Sequence, residues 1–524
     1  MTERLAPATR GITERSFGAL GSRPDPPRVV VVGGGLAGLA AAVALADRGL
    51  RLTVLESRPW LGGRAGSFSD PAVGGWVDLC QHVAMGCCTN LEDYCARIGT
   101  QNQFRTLPGV RFLARDAPPS IWKADPLPAP LHLARAFWSS RFLSWGDKVR
   151  IAQALGRLIR SRPSQPRPIG LWLSEHGQTP RTIRRFWEPI LVSALNDRLD
   201  RLDLASARQV FVDGFVKNRH AHIVRIPTVP LARVIGEPAA AWLRARGVEL
   251  RTGVAAVGIE CEPEGAVERV RLRDGGAIEA DFVVLAVPFH RVADLVGAAL
   301  RARIPALAHL DQFQAMPITG IHLWFDQMVV PVDHAALIDL TLHWVFNHGK
   351  FSTATASGQY VQCVVSASTE LAAQPNEAVI RIALDDLARF WPEARPERLR
   401  AWRVVTEHRA TFAPRPGIER IRPPQRTSID GLFLAGDWTQ TGWPSTMEGA
   451  VRSGYLAAEA ILQDLGRPAS ILAPDLPAEP LAAWLLREPT RPNENRDRPA
   501  SSRPVHPGHP AQPCRDPLSR SVRP

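Results

Sequence analysis

The chain has 524 residues, 45% of them hydrophobic, which is enough for two or more domains around a large buried core. Its formal charge of +12 points to an anionic partner such as a membrane surface. No recognition motif accompanies that charge, which sets nucleic acid aside. The seven cysteines (Cys80, Cys87, Cys88, Cys95, Cys261, Cys363 and Cys514) are scattered without a CxxC pair. That argues against a disulfide framework or a zinc site and fits reduced thiols in a cytoplasmic protein; no metal site is expected.

Residues 1–26, rich in Pro, Arg and Gly, read as a disordered arm without the pattern of a signal peptide. Residues 27–125 open with "PRVVVVGGG", an apolar strand, then the small-residue helix "LAGLAAAVALADRG" and the strand "RLTVLE". This β–α–β order predicts a parallel, doubly wound sheet. The apolar run Val29–Ala46 is broken by glycines and is not expected to span a membrane.

Residues 126–225 turn basic and aromatic, and Ser144 with Asp147 predicts a capping box before a helix through Arg160. Residues 226–304 return to a helix-then-strand pattern, with a hairpin turn at Asp274-Gly275-Gly276. Residues 305–424, with "ITGIHLWF", "YVQCVVSAS" and "AWRVVTEHR", predict a mixed, antiparallel-leaning sheet with helices. Residues 425–488 bring a second strand–Gly–helix junction, "GLFLAGDWTQTGWPSTMEGAVRSGY". The tail, residues 489–524, is rich in Pro and Arg and predicts disorder. The order implies two interleaved domains.

Gly33, Gly35 and Gly38 form a GxGxxG fingerprint between a strand and a helix. The first permits a tight turn, the second lets the backbone approach a pyrophosphate, and the third lets helix and strand pack closely. The helix N-terminus then stabilises the phosphates. Glu56, at the end of the second strand, is placed to accept the ribose hydroxyls of an adenosine. A second loop, Gly62-Gly63-Arg64, follows at once and suits the longer FAD better than NAD, which does not need it. The expected fold is therefore α/β: a Rossmann-like FAD-binding domain of the glutathione-reductase type, interleaved with a mixed α+β substrate domain.

The fingerprint, Glu56, Gly62-Gly63-Arg64 and the late "LAGDW…MEGAVRSG" resemble the amine oxidase and phytoene desaturase superfamily of FAD proteins. The stretches "VDLCQHVAMGCCTNLEDYC", "FWEPILVSALND", "RIPTVPLARVIGEPA", "HLWFD", "WVFNHGK", "TEHRATFAPRPG" and "GDWTQTGWPSTMEGAVRSGY" resemble hydroxysqualene dehydroxylases, the squalene-associated FAD-dependent desaturases of hopanoid synthesis. One departure is that Leu79-Cys80 follow Asp78 where the family pattern has Asn-Gly.

The resemblance implies reductive loss of an allylic hydroxyl, hydroxysqualene giving squalene with hydride from reduced flavin. It further implies a C30 isoprenoid substrate and a protein bound peripherally to the membrane. A carotenoid-type phytoene or dehydrosqualene desaturase and a non-enzymatic prenyl-lipid escort protein remain alternatives. No second nucleotide fingerprint marks an NADPH site, so the electron donor stays open.

The cofactor is expected to meet Gly33, Gly35, Gly38, Glu56, Gly62, Gly63, Arg64, Val254, Gly436, Asp437, Met447, Glu448 and Gly449. His82 is the candidate general acid or proton relay, with a structural or flavin-contacting role as its alternative. Asn196, with Asp197, could face the pocket or cap a helix. Trp344, Asn347 and Trp443 are candidates for the substrate wall. His220 and His222 have no metal-ligand spacing. Phe137, Trp138, Phe142 and Trp145 among Arg135, Arg141, Lys148, Arg150, Arg157 and Arg160 suit a membrane interface, or else an amphipathic helix packed on its own domain.

Overall fold

A computed structural model describes residues 25–262, 265–350 and 358–486. The expected disorder of residues 1–24 and 489–524, like Cys514, lies outside the described residues. The fold is built on two sheets.

The nucleotide sheet is five-stranded and parallel, in the order Glu249–Thr252, Arg51–Glu56, Arg28–Val32, Phe282–Leu285, Leu432–Leu434. Its central strand, RVVVV, is buried from Val29 to Val32 because both faces are covered, which explains the unbroken valine run. The fingerprint helix Leu36–Leu45 is buried at all ten positions. An all-apolar, small-residue helix of this kind belongs inside a domain. Its partner is the long helix Met447–Asp464, and the two approach so closely that a Cβ at Gly454 would sit 2.2 Å from the Ala37 carbonyl. The first and last parts of the described chain therefore complete one half-domain. A three-stranded antiparallel sheet, Ala256–Cys261, Val267–Leu272 and Ala277–Glu279, carries the expected Asp274-Gly275-Gly276 turn.

The substrate sheet has seven strands in the order Leu399–Phe412, Ala315–Phe325, Gln359–Ser366, Trp344–Asn347, His334–Leu337, Val110–Ala114, Ala117–Trp122. Only the pairing of His334–Leu337 with Val110–Ala114 is parallel. This corrects the boundary drawn at residue 125. The Val110–Trp122 hairpin lies inside the first dinucleotide segment of the sequence, yet its free edge is completed by a strand from the substrate domain.

Helices of residues 134–216 cover the cavity side of this sheet. Ser144 and Asp147 form the reciprocal capping box at the start of Trp145–Arg160. Two neighbouring helices carry π-turns, Ile183–Trp187 and Val212–Val216, and residues of the second line the cavity. Such turns are rare and gather at functional sites.

Candidate active site

A cavity of about 910 Å3 runs from the glycine corner of the nucleotide sheet into the space between the substrate sheet and its helices. At its nucleotide end Gly33 adopts φ +115°, and a Cβ there would lie 2.4 Å from the Ala286 carbonyl. A Cβ on Gly38 would lie 1.9 Å from the Gly33 carbonyl, so this position sets helix against strand and does not itself line the cavity. Gly35 and Gly62 form a parallel bridge, with the Gly62 N–H donating to the Gly34 carbonyl at 2.8 Å. A Cβ on Gly63 would approach the Gly35 Cα to 2.9 Å. The two glycine loops are one surface, kept bare so that a ligand backbone can lie on it.

Glu56 is 9% exposed and lines the cavity beside Val254, whose N–H donates to the Glu56 carbonyl oxygen at 3.0 Å. Its carboxylate accepts from the N–H groups of Gly34 and Arg58, each at 2.8 Å. That holds the acid rigidly at the mouth of the fingerprint, where an adenosine ribose can share it.

The second half of the corner comes from the late junction. Gly436 and Asp437 line the cavity, and Asp437 pairs with the Arg64 guanidinium. Arg64 also donates to the Ala410 carbonyl at 2.6 Å, and Ser445 donates to the other Asp437 oxygen. Burial works against a charged Asp437; Arg64 outweighs it, helped by Ser445 and Arg422, and the carboxyl stays below the ordinary carboxylate range. Burial likewise opposes the charge on Arg64, and Asp437 restores it. The pair joins two loops from opposite ends of the chain at the centre of the cavity.

The helix Met447–Asp464 starts at this point, capped by Thr446, whose hydroxyl accepts from the Gly449 N–H at 3.0 Å. Met447 lines the cavity. Gly449 does not, which corrects its expected cofactor contact: its N–H is engaged by the cap, and the helix turn carries it away from the wall. Glu448 lies along the wall, but its carboxylate accepts from Asn90 Nδ2 at 2.9 Å and the Leu91 N–H at 2.8 Å. Its carboxylate thus ties two helices together, and what it can offer a cofactor is its backbone at the helix N-terminus.

Beyond this corner the cavity becomes apolar, with Leu107, Phe112, Trp122, Ile190, Val210 and Phe215 among its walls. Trp344 and Trp443 line it. The Trp344 indole donates to Ser193 Oγ at 2.7 Å, which fixes the ring. Asn347 does not line it. Strand alternation turns Trp344 and Phe346 to the cavity and Val345 and Asn347 to the other face, where Asn347 donates to the Val330 carbonyl at 2.8 Å.

Asn196 ends the helix Glu188–Leu195 in the left-handed conformation, φ +55°, and reaches the cavity. Its amide nitrogen donates to the Met316 carbonyl at 3.2 Å and to Thr411 Oγ1 at 2.9 Å, and its oxygen accepts from the Ala367 N–H at 2.6 Å. With both donors engaged Asn196 braces the helix end against the substrate sheet and has no N–H left for a substrate, while its partner Thr411 also lines the cavity. Thr411 accepts from Asn196, so its hydroxyl hydrogen is left to donate. Asp197 is also engaged, with Arg415 at 3.2 Å.

His82 lines the cavity beside Gln81. Its Nδ1 lies 3.0 Å from the Cys80 carbonyl, which can only accept, so the ring proton sits on Nδ1. Burial, partly opposed by that carbonyl and reinforced by Arg64, holds the imidazole below its ordinary value. A neutral ring with Nε2 unprotonated is an acceptor at rest, so it must first take up a proton to act as an acid or relay. His222 lines the cavity too, ring to ring with buried His132 at 4.9 Å, while His220 does not. Among the described residues no cluster of three or more His, Cys, Asp or Glu side chains could hold a metal ion.

Sequence reasoning missed Thr411, Ser193, Ser445 and Asn90. Thr411 and Ser193 are small hydroxyl residues whose partners are remote in sequence, Ser445 meets Asp437 within its own loop, and Asn90 meets Glu448 from the other end of the chain. Only Thr446 carried a local signal, a threonine ahead of an acidic helix start.

The bare glycine corner, the rigid ribose acid and the Arg64–Asp437 pair define an FAD-dependent oxidoreductase. The family model for flavin containing amine oxidoreductases matches residues 36–462, and the chain belongs to that family. It is 27% identical over 481 residues to a probable zeta-carotene desaturase of Synechococcus elongatus, covering 83% of this chain and 98% of that protein. It is 28% identical over 442 residues to a hydroxysqualene dehydroxylase of Zymomonas mobilis, covering 82% and 98%. In fold it is similar to an oxidoreductase from Methanosarcina mazei, with a TM-score of 0.65 at 18% identity over 83% of this chain and 100% of that one. It is also similar to putrescine oxidase, with a TM-score of 0.62 at 15% identity over 84% and 99%.

Proposed function

We propose that the protein is a reductive dehydroxylase of a C30 isoprenoid alcohol, converting hydroxysqualene to squalene in hopanoid synthesis. In balance, the alcohol takes up two electrons and two protons and leaves as hydrocarbon and water. Bound FAD supplies the two-electron chemistry. The observation that carries the reading is that a cavity with largely apolar walls is also lined by the hydrogen-bonding side chains of His82, Ser366 and Thr411. A hydroxyl can use such groups; a pure hydrocarbon leaves them unpaired at a cost. The likeness to a hydroxysqualene dehydroxylase adds to it.

In this reading the apolar arm holds the chain extended and excludes water, and Trp344 and Trp443 present aromatic faces to positive charge at the allylic carbon. The Thr411 hydroxyl donates a hydrogen bond to the departing oxygen, and His82 Nε2 relays to that oxygen the solvent proton with which it leaves as water. Gly33, Gly35, Glu56, Gly62, Gly63, Arg64, Val254, Gly436, Asp437 and Met447 hold the cofactor.

The electron donor is a separate protein or a transient hydride donor. The rival reading, a carotenoid-type desaturase, draws on an equally close relative. Anaerobic, photoreduced protein given hydroxysqualene is expected to reoxidise and yield squalene by gas chromatography. Desaturation of phytoene by the oxidised protein, without squalene from the alcohol, would establish the rival.

The membrane side of the proposal rests on an exposed aromatic patch. Trp145 is 70% exposed and stacks on Trp138 at 5.6 Å, with Lys148 over the Trp145 ring at 5.1 Å. Leu131 is exposed beside them in sequence, and Leu133, two residues on, lines the cavity. A lipid-dissolved substrate would enter there from the cytoplasmic leaflet. No helix among the described residues is long and apolar enough to cross a membrane. Flotation with phosphatidylglycerol liposomes is expected for the wild type and lost in a Trp138→Ser/Trp145→Ser variant.

A further inference from the structure

The loop bearing His82 rests on one row of buried polar side chains across the substrate sheet. His322 stands opposite Gln362, and Gln362 opposite Phe346. His322 and Gln362 are fully buried, and one nitrogen of each has no hydrogen-bond partner. The loop lies directly on this row: a Cβ at Gly320 would meet the Leu79 carbonyl at 3.5 Å and the Cys80 Cα at 3.7 Å.

His348 joins row and loop. Its Nε2 lies 2.8 Å from Gln81 Oε1 and 3.0 Å from Gln362 Oε1, two acceptors, so Nε2 carries the proton. The orientation of Gln81 is fixed from its other end, where Nε2 donates to the His82 carbonyl at 2.9 Å. The His348 ring stacks on Tyr360 at 4.8 Å, and Tyr360 stacks on Trp324 at 4.7 Å with planes 4° apart. Tyr360 in turn meets His322 Nδ1 at 2.7 Å. His348 is thus held by rigid neighbours and passes its position to the loop through one side chain.

We infer that His348 is a positioning residue for the active-site loop: through Gln81 it fixes the backbone at His82 and so sets where the His82 ring meets the cavity. The inference rests on the isoprenoid reading for its ligand, but not on the direction of the reaction. Catalytic loops hold their geometry only when a supporting layer fixes them, and a single lost hydrogen bond loosens such a loop.

The test uses the FAD-loaded full chain with His348→Phe, which keeps the ring stack and loses the N–H, His348→Gln, which keeps a donor, His82→Phe, and the double variant His348→Phe/His82→Phe. Hydroxysqualene in detergent micelles, given to the oxidised protein so that the alcohol is not reduced, is the probe, read by the change in visible flavin absorbance and circular dichroism. His348→Phe is expected to weaken hydroxysqualene binding about tenfold and to alter the flavin dichroism, and His348→Gln to recover most of that loss. The double variant should bind no more weakly than His82→Phe alone. Losses that multiply in the double variant, or wild-type binding by His348→Phe, overturn the inference.

If His348→Phe fails to fold, Gln81→Met cuts the same link from the loop side, and wild-type binding there overturns it equally. Non-multiplying losses in a protein that does not dehydroxylate hydroxysqualene would leave the positioning role standing and remove the proposed reaction.

Discussion

Replacing Asp437 by Asn removes the negative half of the pair at the centre of the cavity while keeping the side chain's size. Asp437 is 6% exposed, whereas Arg64 keeps 33% of its surface open, so water entering the cavity can partly re-solvate the orphaned guanidinium. Breaking a fully buried pair costs about 3–5 kcal/mol; with one partner wet we expect about 2 kcal/mol. In a domain this large that lowers the melting temperature by roughly 2–5 °C. FAD affinity should fall at least about tenfold, because Arg64 loses the anchor that aims it.

The pH dependence has a definite sign. The folded-state pKa of Asp437 is depressed, so its stabilisation is complete above the ordinary carboxylate range and is lost as pH falls through the folded value. Wild type and Asp437→Asn should therefore differ at pH 7 and converge below about pH 4. Thermal unfolding and flavin fluorescence across pH measure both effects. Arg64→Met/Asp437→Asn removes the orphaned charge and should regain part of the stability lost in Asp437→Asn. The reasoning is refuted if Asp437→Asn melts within a degree of wild type and holds FAD equally well, or if the double variant shows the summed loss of the two singles.

Gly38→Ala places a Cβ against the Gly33 carbonyl and should yield protein that cannot hold FAD, seen as loss of yellow colour after gel filtration. Ser193→Ala strands the Trp344 indole N–H in an apolar wall and is expected to cost about 1–2 kcal/mol in urea unfolding, with weaker squalene binding. Burial holds His322 neutral, its pKa lowered to about 3, and the neighbouring His348 disfavours a second charge beside it. A depressed histidine stabilises the fold fully above its unfolded value and progressively less as pH falls. Between pH 7 and pH 5 the wild type should thus lose about 2 kcal/mol more than His322→Phe in urea titrations.

The nucleotide half was legible because its physics is local. Fixed glycine offsets, an unbroken valine strand and an acid at a strand end each report their own backbone. What stayed hidden depended on partners remote in sequence. Nothing in Val110–Trp122 announces that its free edge waits for His334–Leu337. Trp344 and Asn347 stand in one short strand, and the parity that separates wall from core follows from which face the helices cover. Asn196 reads alike as cap or catalyst until Met316, Thr411 and Ala367 are seen to engage its amide. Glu448 sits in the expected junction, but its partners belong to the helix Thr89–Arg97. Side-chain roles of this kind are properties of contacts, which composition and spacing do not encode.

The pairing of the fingerprint helix with Met447–Asp464 bears on how the chain is made. Leu36–Leu45 emerges early from the ribosome with an apolar surface on every side, and the helix that covers it is translated about 400 residues later. At about 5–20 residues per second that surface stays uncovered for tens of seconds, longer than collapse of the neighbouring strands requires. Completion of the cofactor half therefore waits for that helix, and FAD can lock the fold only after synthesis has passed Met447. A truncation before that helix should not give a weaker enzyme; it should give an aggregating chain that depends on chaperones throughout its life.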